Sequence, residues 1–298
     1  VNSHLIARAL IAMLLLLPSG PCVADPGPPA AIRVPLKKIS GRPCVRATVN
    51  GRPLWLTIDT GSAVSVLEAN TAKECGLEIL PGGIPATGML GAESLLRTAP
   101  SAVQIGPLSL PARAWFVRQG APKRPSDRPL LQPAVQFNLL GMDRLAGTCR
   151  YLTLDSIKGE VVFGAQHFRP DPGIAYTTAP LEVRRGLPYV ELRAGAARFS
   201  CLVDSGSSVA LLLDPATASG LAGPTFRAAG GRPFGLGDQA SARTKAWSTT
   251  LPEITLGTGV LSKIDTLILP RSPALGYGAF DRCAVTFDFE GCRLWIRK

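Results

Sequence analysis

Histidine is nearly absent from this chain: two of 298 residues, His4 and His167. No Cys-x-x-Cys pair occurs either, so the spacing of a zinc site is missing. The same scarcity weakens a Ser-His-Asp hydrolase. His167 would have to serve alone from a proline-rich stretch, and no Gly-x-Ser-x-Gly is present. Acidic residues are few, 21 Asp and Glu against 32 Lys and Arg, for a formal net charge of +11. The basic residues are scattered, without runs of five or more, a helical basic stripe or an aromatic-basic motif, which argues against nucleic acid as a partner. What remains is a plain basic surface, or attraction to anionic polymers, lipids or acidic substrates. No metal and no cofactor are expected.

Long apolar runs are also missing. The longest, residues 9–17, falls short of the roughly 20 residues that span a bilayer. It follows Arg8, ends at Pro18-Ser19-Gly20-Pro21, and precedes Cys22-Val23-Ala24, which sets small residues at the −3 and −1 positions of a cleavage site. Residues 1–24 therefore read as a secretory signal peptide. The mature chain is expected to be exported, periplasmic or secreted in a bacterial envelope, with no transmembrane span. A retained anchor and lipidation at Cys22 are the alternatives. Six cysteines follow the signal, Cys44, Cys75, Cys149, Cys201, Cys283 and Cys292, and an even number in an exported chain predicts disulfides of undetermined connectivity.

What is present is turn chemistry, 27 Pro and 31 Gly, in a chain that is 46% apolar and long enough for two modest domains. One phrase occurs twice: Ile58-Asp59-Thr60-Gly61-Ser62 and Val203-Asp204-Ser205-Gly206-Ser207, 145 residues apart. Each follows a strand-like run, 54–58 and 199–203, and precedes another apolar run. The surroundings repeat as well. A hairpin precedes each phrase, turning at Asn50-Gly51 and at Ala194-Gly195-Ala196. A short helical stretch follows, 68–76 and 214–220. Then come Gly-containing hairpin candidates, 86–91 and 233–238, strands ending at Gly106 and Gly257, and closing hairpins turning at Lys158-Gly159 and Glu290-Gly291. This order of shared features predicts an internal duplication. Residues 120–133 have no counterpart and read as an exposed insertion. Residues 167–188, rich in proline, read as the connector between two units. The expected domains are residues 25–170 and 171–298.

A single Asp-Gly at a strand end is ordinarily only a turn. Two, each in the same repeat, resemble the pepsin and retropepsin superfamily of aspartic peptidases, in particular bacterial retropepsin-like units fused in tandem. The second family signature, two apolar residues and a Gly, is matched by Leu139-Leu140-Gly141. In unit two it falls at Leu275-Gly276 or at Tyr277-Gly278. The resemblance covers nearly all of the mature chain. It implies a mostly β, bilobal fold around a cleft with pseudo-twofold symmetry, and an aspartic endopeptidase acting on peptide or protein substrates. Asp59 and Asp204 would be the catalytic pair, sharing a proton. Thr60 and Ser205 would hydrogen-bond across the lobes, Gly61 and Gly206 would let the backbone approach the carboxylates, and Ser62 and Ser207 would hydrogen-bond them. A flap at Gly88, Met89, Leu90 and Gly91 would close over substrate, without the Tyr that pepsins carry there.

With both aspartates in one chain, a monomer is expected. The serine hydroxyls are expected to favour the charged carboxylates and so an acidic to mildly acidic optimum. Asp143, Asp155, Asp281 and Asp288 also recur and read as turn or cap residues. The alternative function is a catalytically inactive module of the same fold that binds peptides or envelope polymers.

Overall fold

The computed structural model describes residues 31–88, 91–119, 137–221, 227–228 and 246–298. It is built almost wholly of antiparallel and short parallel strands, as the density of Gly and Pro turns dictates. Three sheets carry the architecture. The middle one has six strands in the order Ala31–Pro35, Glu160–Gly164, Tyr151–Asp155, Ala284–Asp288, Arg293–Arg297, Thr177–Pro180. The first three come from residues 31–164 and the last three from residues 177–297. They meet where Thr153 pairs with Thr286, whose hydroxyls lie 2.7 Å apart. A pseudo-twofold axis passes between these two threonines, so the sheet is one three-strand unit used twice.

Among the described residues each lobe adds its own sheet, ten-stranded in the first and eight-stranded in the second. Both begin alike. Arg42–Val49 returns as Arg52–Ile58 through Asn50 and Gly51, both at positive φ (49° and 79°), the backbone that a two-residue hairpin requires. Leu187–Ala194 returns as Ala197–Asp204 through Gly195 at φ 59°. The inward residues of these strands are fully buried, Leu56 and Ile58 in one lobe and Cys201 and Val203 in the other. Burial of such a side chain is worth about 1.5–3 kcal/mol. One continuous apolar core runs from the first lobe through the middle sheet into the second. Two small satellites, around Val66, Leu95, Phe137 and Leu139 and around Leu212, Leu269 and Ala274, sit in matching places in the two lobes.

The duplication begins earlier than the sequence suggests. Ala31–Pro35 and Thr177–Pro180 are the two edges of the middle sheet, and Lys37–Ile39 and Glu182–Arg184 each pair with the strand that follows. The region 167–188 is therefore only in part a connector. Its prolines do not bar Thr177–Pro180 from an edge, where one N–H need not be paired. The insertion 120–133 and the hairpin candidate 233–238 lie outside the described residues.

The expected disulfides are not formed. Among the described residues all six cysteines are free, five of them buried and Cys292 exposed. The buried ones act as small apolar side chains in separate places. Cys44 faces Thr57 within the first-lobe sheet, Cys149 lies over the Leu145 carbonyl, and Cys201 is inside a second-lobe strand. The cysteine count thus carries no argument about compartment.

Two buried arginines brace the first lobe. Arg144 stacks on Trp115 (4.3 Å) and donates to the carbonyls of Ser101, Pro111 and Arg113. Burial lowers its pKa to about 10, still charged at neutral pH. Arg118 pairs with Glu93 at 3.2 Å, fixing the return strand Gly91–Thr98 of the long hairpin to the lobe behind it.

Candidate active site

Both Asp-Thr/Ser-Gly-Ser phrases fold by the same local logic. Arg52–Ile58 runs parallel to Leu139–Leu140, with the Asp59 N–H on the Leu140 carbonyl (3.0 Å). Ala197–Asp204 runs parallel to Ala274–Gly276, with Asp204 opposite Gly276. After each aspartate the chain must double back across its parallel neighbour, and there is room only because that neighbour has a glycine. A Cβ on Gly141 would stand 2.3 Å from the Val64 carbonyl oxygen, and one on Gly276 would stand 2.0 Å from that of Val209. Next to each glycine the chain clamps the loop: the Met142 N–H donates to the Ser62 carbonyl and the Tyr277 N–H to that of Ser207, both at 2.8 Å. Ala274-Leu275-Gly276 is thus the second-lobe counterpart of Leu139-Leu140-Gly141, which selects Leu275-Gly276 over Tyr277-Gly278.

The two loops are clasped to each other. The Thr60 N–H donates to Ser205 Oγ and the Ser205 N–H to Thr60 Oγ1, each at 3.0 Å. The same hydroxyls donate onward, Thr60 to the Val203 carbonyl (2.7 Å) and Ser205 to that of Ile58 (2.6 Å). Thr60 and Ser205 are 0% and 2% exposed, so the clasp is dry and all its groups are paired, the condition in which hydrogen bonds hold geometry best.

This clasp sets the carboxyls side by side. The Gly61 N–H donates to Asp59 Oδ1 (3.0 Å) and the Gly206 N–H to Asp204 Oδ1 (2.9 Å). Each glycine also faces the opposite aspartate. A Cβ on Gly61 would lie 2.4 Å from Asp204 Cγ, and one on Gly206 would lie 2.4 Å from Asp59 Cγ. No other residue fits either place.

Burial pushes Asp59 well above the usual carboxylate range, and the neighbouring charge of Asp204 pushes it further. Burial also raises Asp204, held back by the Gly206 N–H and by a hydrogen bond from Asp59. Both carboxyls are raised and a hydrogen bond joins them, so the pair holds one proton in common. Two carboxyls in contact cannot both ionise, and the pair titrates as a unit, the behaviour for which aspartic peptidases are the standard example. The arrangement provides one acid and one base side by side.

The serines differ from expectation. Ser62 Oγ donates to the Val64 carbonyl (2.7 Å), not to a carboxylate, because the clamped loop turns it toward its own backbone. Ser207 reaches Asp204 through its backbone N–H. Gly88 and Gly91 are the last paired residues of the hairpin Ile79–Gly88 and Gly91–Thr98, while Met89 and Leu90 lie outside the described residues. Asp155 and Asp288 accept turn N–H groups, Asp143 accepts from Ser65 Oγ (2.7 Å), and Asp281 pairs with Lys38. His167 is two-thirds exposed beside Glu290, away from the pair.

Sequence reasoning missed Arg42. Its charge acts on both aspartates, lowering each. The signal was available: Gly41-Arg42-Pro43 and Gly186-Leu187-Pro188 occupy one position of the repeat, with a cation in one copy only.

Comparison with known proteins agrees with this geometry. Residues 45–146 match the family model described as "gag-polyprotein putative aspartyl protease". Among solved structures, the aspartic proteinase from Irpex lacteus aligns with 90% of this chain and 97% of its own, with a TM-score of 0.53 and 16% identity, a likeness of fold. No curated protein matches the sequence.

Proposed function

We propose that this chain is an exported single-chain aspartic endopeptidase, a reading supported by the match of residues 45–146 to an aspartyl protease family model and by a likeness of fold to an aspartic proteinase. The observation that carries the reading is the pair of buried carboxyls, each held by its own Gly N–H and locked to the other through the Thr60–Ser205 clasp.

The ionised carboxylate of the pair takes a proton from a water. The water oxygen bonds to the carbonyl carbon of the peptide while the proton on the other carboxyl passes to the carbonyl oxygen. The resulting gem-diol returns a hydroxyl proton to the carboxyl that gave one up, and the carboxyl protonated by water delivers its proton to the amide nitrogen as the C–N bond breaks. The products are a carboxylic acid and an amine, and the pair is restored. The acid and base needed at once are the two halves of one shared-proton pair, so no metal or nucleophilic side chain enters. The hairpin Ile79–Gly88 and Gly91–Thr98 would serve as the flap over bound peptide.

Export rests on residues 1–24, which lie outside the described residues. The whole middle sheet is completed within one chain, which supports action as a monomer. The test is digestion of a peptide library by the mature chain from pH 3 to 8, with and without pepstatin, and products mapped by mass spectrometry. Pepstatin-sensitive internal cleavage, undiminished per molecule on dilution through the nanomolar range, is the expected result. Peptide binding without cleavage at any pH would favour an inactive binding module instead.

A further inference from the structure

The long hairpin of the first lobe leaves its sheet before it ends. Its return strand Gly91–Thr98 pairs with Phe116–Arg118 at Leu95, Leu96 and Arg97, and among the described residues that pairing stops there. Further out, from Pro85 and Ser94 to Gly88 and Gly91, the two strands pair only with each other. A bulge marks the departure. Leu80 stands opposite Arg97 and Ile84 opposite Leu95, so Pro81, Gly82 and Gly83 face Leu96 alone, with Gly82 at φ 96°. The outer part is thus a two-stranded ribbon beyond a bulge, and such a ribbon is marginally stable by itself. Pro85, Thr87, Ala92 and Ser94 are exposed, and Ala86 is half-buried against the small apolar cluster of Phe137 and Leu139.

One ion pair reaches the ribbon from the lobe. Arg118 ends its strand opposite Leu95, and its Nε lies 3.2 Å from Oε1 of Glu93, two residues further out and so on the same face of the hairpin. The two side chains are 0% and 10% exposed. The guanidinium also lies over the Phe137 ring at 4.9 Å, and the Phe137 N–H donates to the Glu68 carboxylate at 3.0 Å. Glu68 ends the strand Val66–Glu68, which follows the Asp59 loop and pairs with the strand of Arg118, Glu68 opposite Arg118. A continuous line of contacts therefore joins the ribbon to the chain that leaves Asp59.

The fold does not require charges here. Phe116 pairs with Val66 as Thr266 pairs with Leu211 in the second lobe, so Arg118 and Glu68 correspond to Ile268 and Leu213. Both of those are buried aliphatic residues, 3% and 1% exposed. A buried ion pair is often no more stabilising than well-packed apolar side chains in its place. The lobe whose hairpin runs on as a ribbon keeps the charges all the same. We propose that Glu93 and Arg118 are positioning residues: their ion pair fixes the outer ribbon in one orientation relative to the Asp59 loop, so that bound peptide meets a flap already in place. The inference rests on that hairpin being the flap of a peptide site, as proposed above.

The experiment separates positioning from stability. In the full mature chain, Glu93→Leu/Arg118→Met removes both charges together and strands neither, so its melting temperature should equal or exceed that of wild type. Amide hydrogen exchange, read by mass spectrometry, should nevertheless quicken about 10-fold or more over residues 84–94, and remain unchanged over Arg52–Ile58 and Val66–Glu68. On a library peptide cleaved by wild type, KM should rise about 10-fold with the pH profile of kcat/KM unmoved, since the aspartates keep their surroundings. Arg118→Lys, which keeps the charge without the planar fork, should fall between wild type and the double variant in exchange and in KM.

Wild-type exchange over residues 84–94 in the double variant overturns the proposal, as does an unchanged KM. A double variant that melts lower and exchanges faster throughout the lobe also overturns it, because the pair would then be a brace of the fold. If wild type cleaves no peptide, the peptidase reading falls, while the exchange measurement, which needs no substrate, still decides whether the pair holds the ribbon.

Discussion

The clasp between the lobes gives the account its sharpest quantitative exposure. Thr60→Val keeps the shape and the branched Cβ, so it opens no cavity and disturbs no rotamer. It removes a hydroxyl that donates to the Val203 carbonyl (2.7 Å) and accepts the Ser205 N–H (3.0 Å). Both abandoned groups sit where water does not reach: Val203 and Ser205 are 0% and 2% exposed. An orphaned buried polar group costs about 1–3 kcal/mol, so two imply a loss of about 2–6 kcal/mol. Ser205→Ala is the mirror experiment, stranding the Thr60 N–H and the Ile58 carbonyl. Against a total stability of about 5–15 kcal/mol, either loss is large. Urea unfolding of wild type, both single variants and the double variant measures it. The double variant should lose less than the sum by at least about 1 kcal/mol, since a clasp already opened admits water to the remaining groups. Turnover should fall in each single variant, because each residue adjoins one of the two paired aspartates. A loss under about 0.5 kcal/mol in both single variants, or strict additivity, would refute the idea that these hydroxyls hold the lobes in register.

Asp59→Asn should stabilise the fold at neutral pH. The carboxyl is raised above its unfolded value, so the native state binds the proton more tightly, and stability falls as pH climbs from the unfolded value near about 4 through the folded one. The melting-temperature gain of the Asn variant should therefore be greatest at neutral pH and vanish toward pH 4; a constant gap, or a less stable variant at pH 7, would contradict this. Ser62→Ala should leave the acidic limb of the pH–rate profile unmoved, since its hydroxyl is spent on the Val64 carbonyl, and an acidic limb shifted upward in kcat/KM measurements would restore the carboxylate contact. Gly206→Ala should lower kcat/KM by at least about 100-fold while the chain stays folded, because its Cβ would displace Asp59, whose Cγ lies 2.4 Å from that position; near-normal kinetics would show that the two loops are not so close.

Much of the site was legible because its chemistry is local. A carboxylate at a strand end, a following Gly and a second copy of both identify Asp59 and Asp204 without any knowledge of packing. The apolar-apolar-Gly signature was equally plain in the first lobe. In the second it had two candidate positions, and only the parallel register of Asp204 with Gly276 decides between them. The edge strands Ala31–Pro35 and Thr177–Pro180 were missed because they are defined by pairing partners far along the chain, while their prolines resemble loop residues. Cysteine parity misled, since an even count says nothing about which thiols meet. Nor can a sequence choose whether Ser62 bonds a carboxylate or the carbonyl two residues on. Arg42 was hidden differently: it departs from its own repeat, and attention to likeness between the copies passes over the place where they differ.

The central claim is that Asp59 and Asp204 act as one catalytic unit. The most direct measurement is kcat/KM on a peptide cleaved by the mature chain, for wild type, Asp59→Asn and Asp204→Asn, with folding verified for each. Each substitution is nearly isosteric and removes one half of the shared-proton pair, so both variants should lose cleavage by at least about 1,000-fold, with the double variant hardly worse than either. Cleavage near the wild-type rate by either single variant would contradict the account.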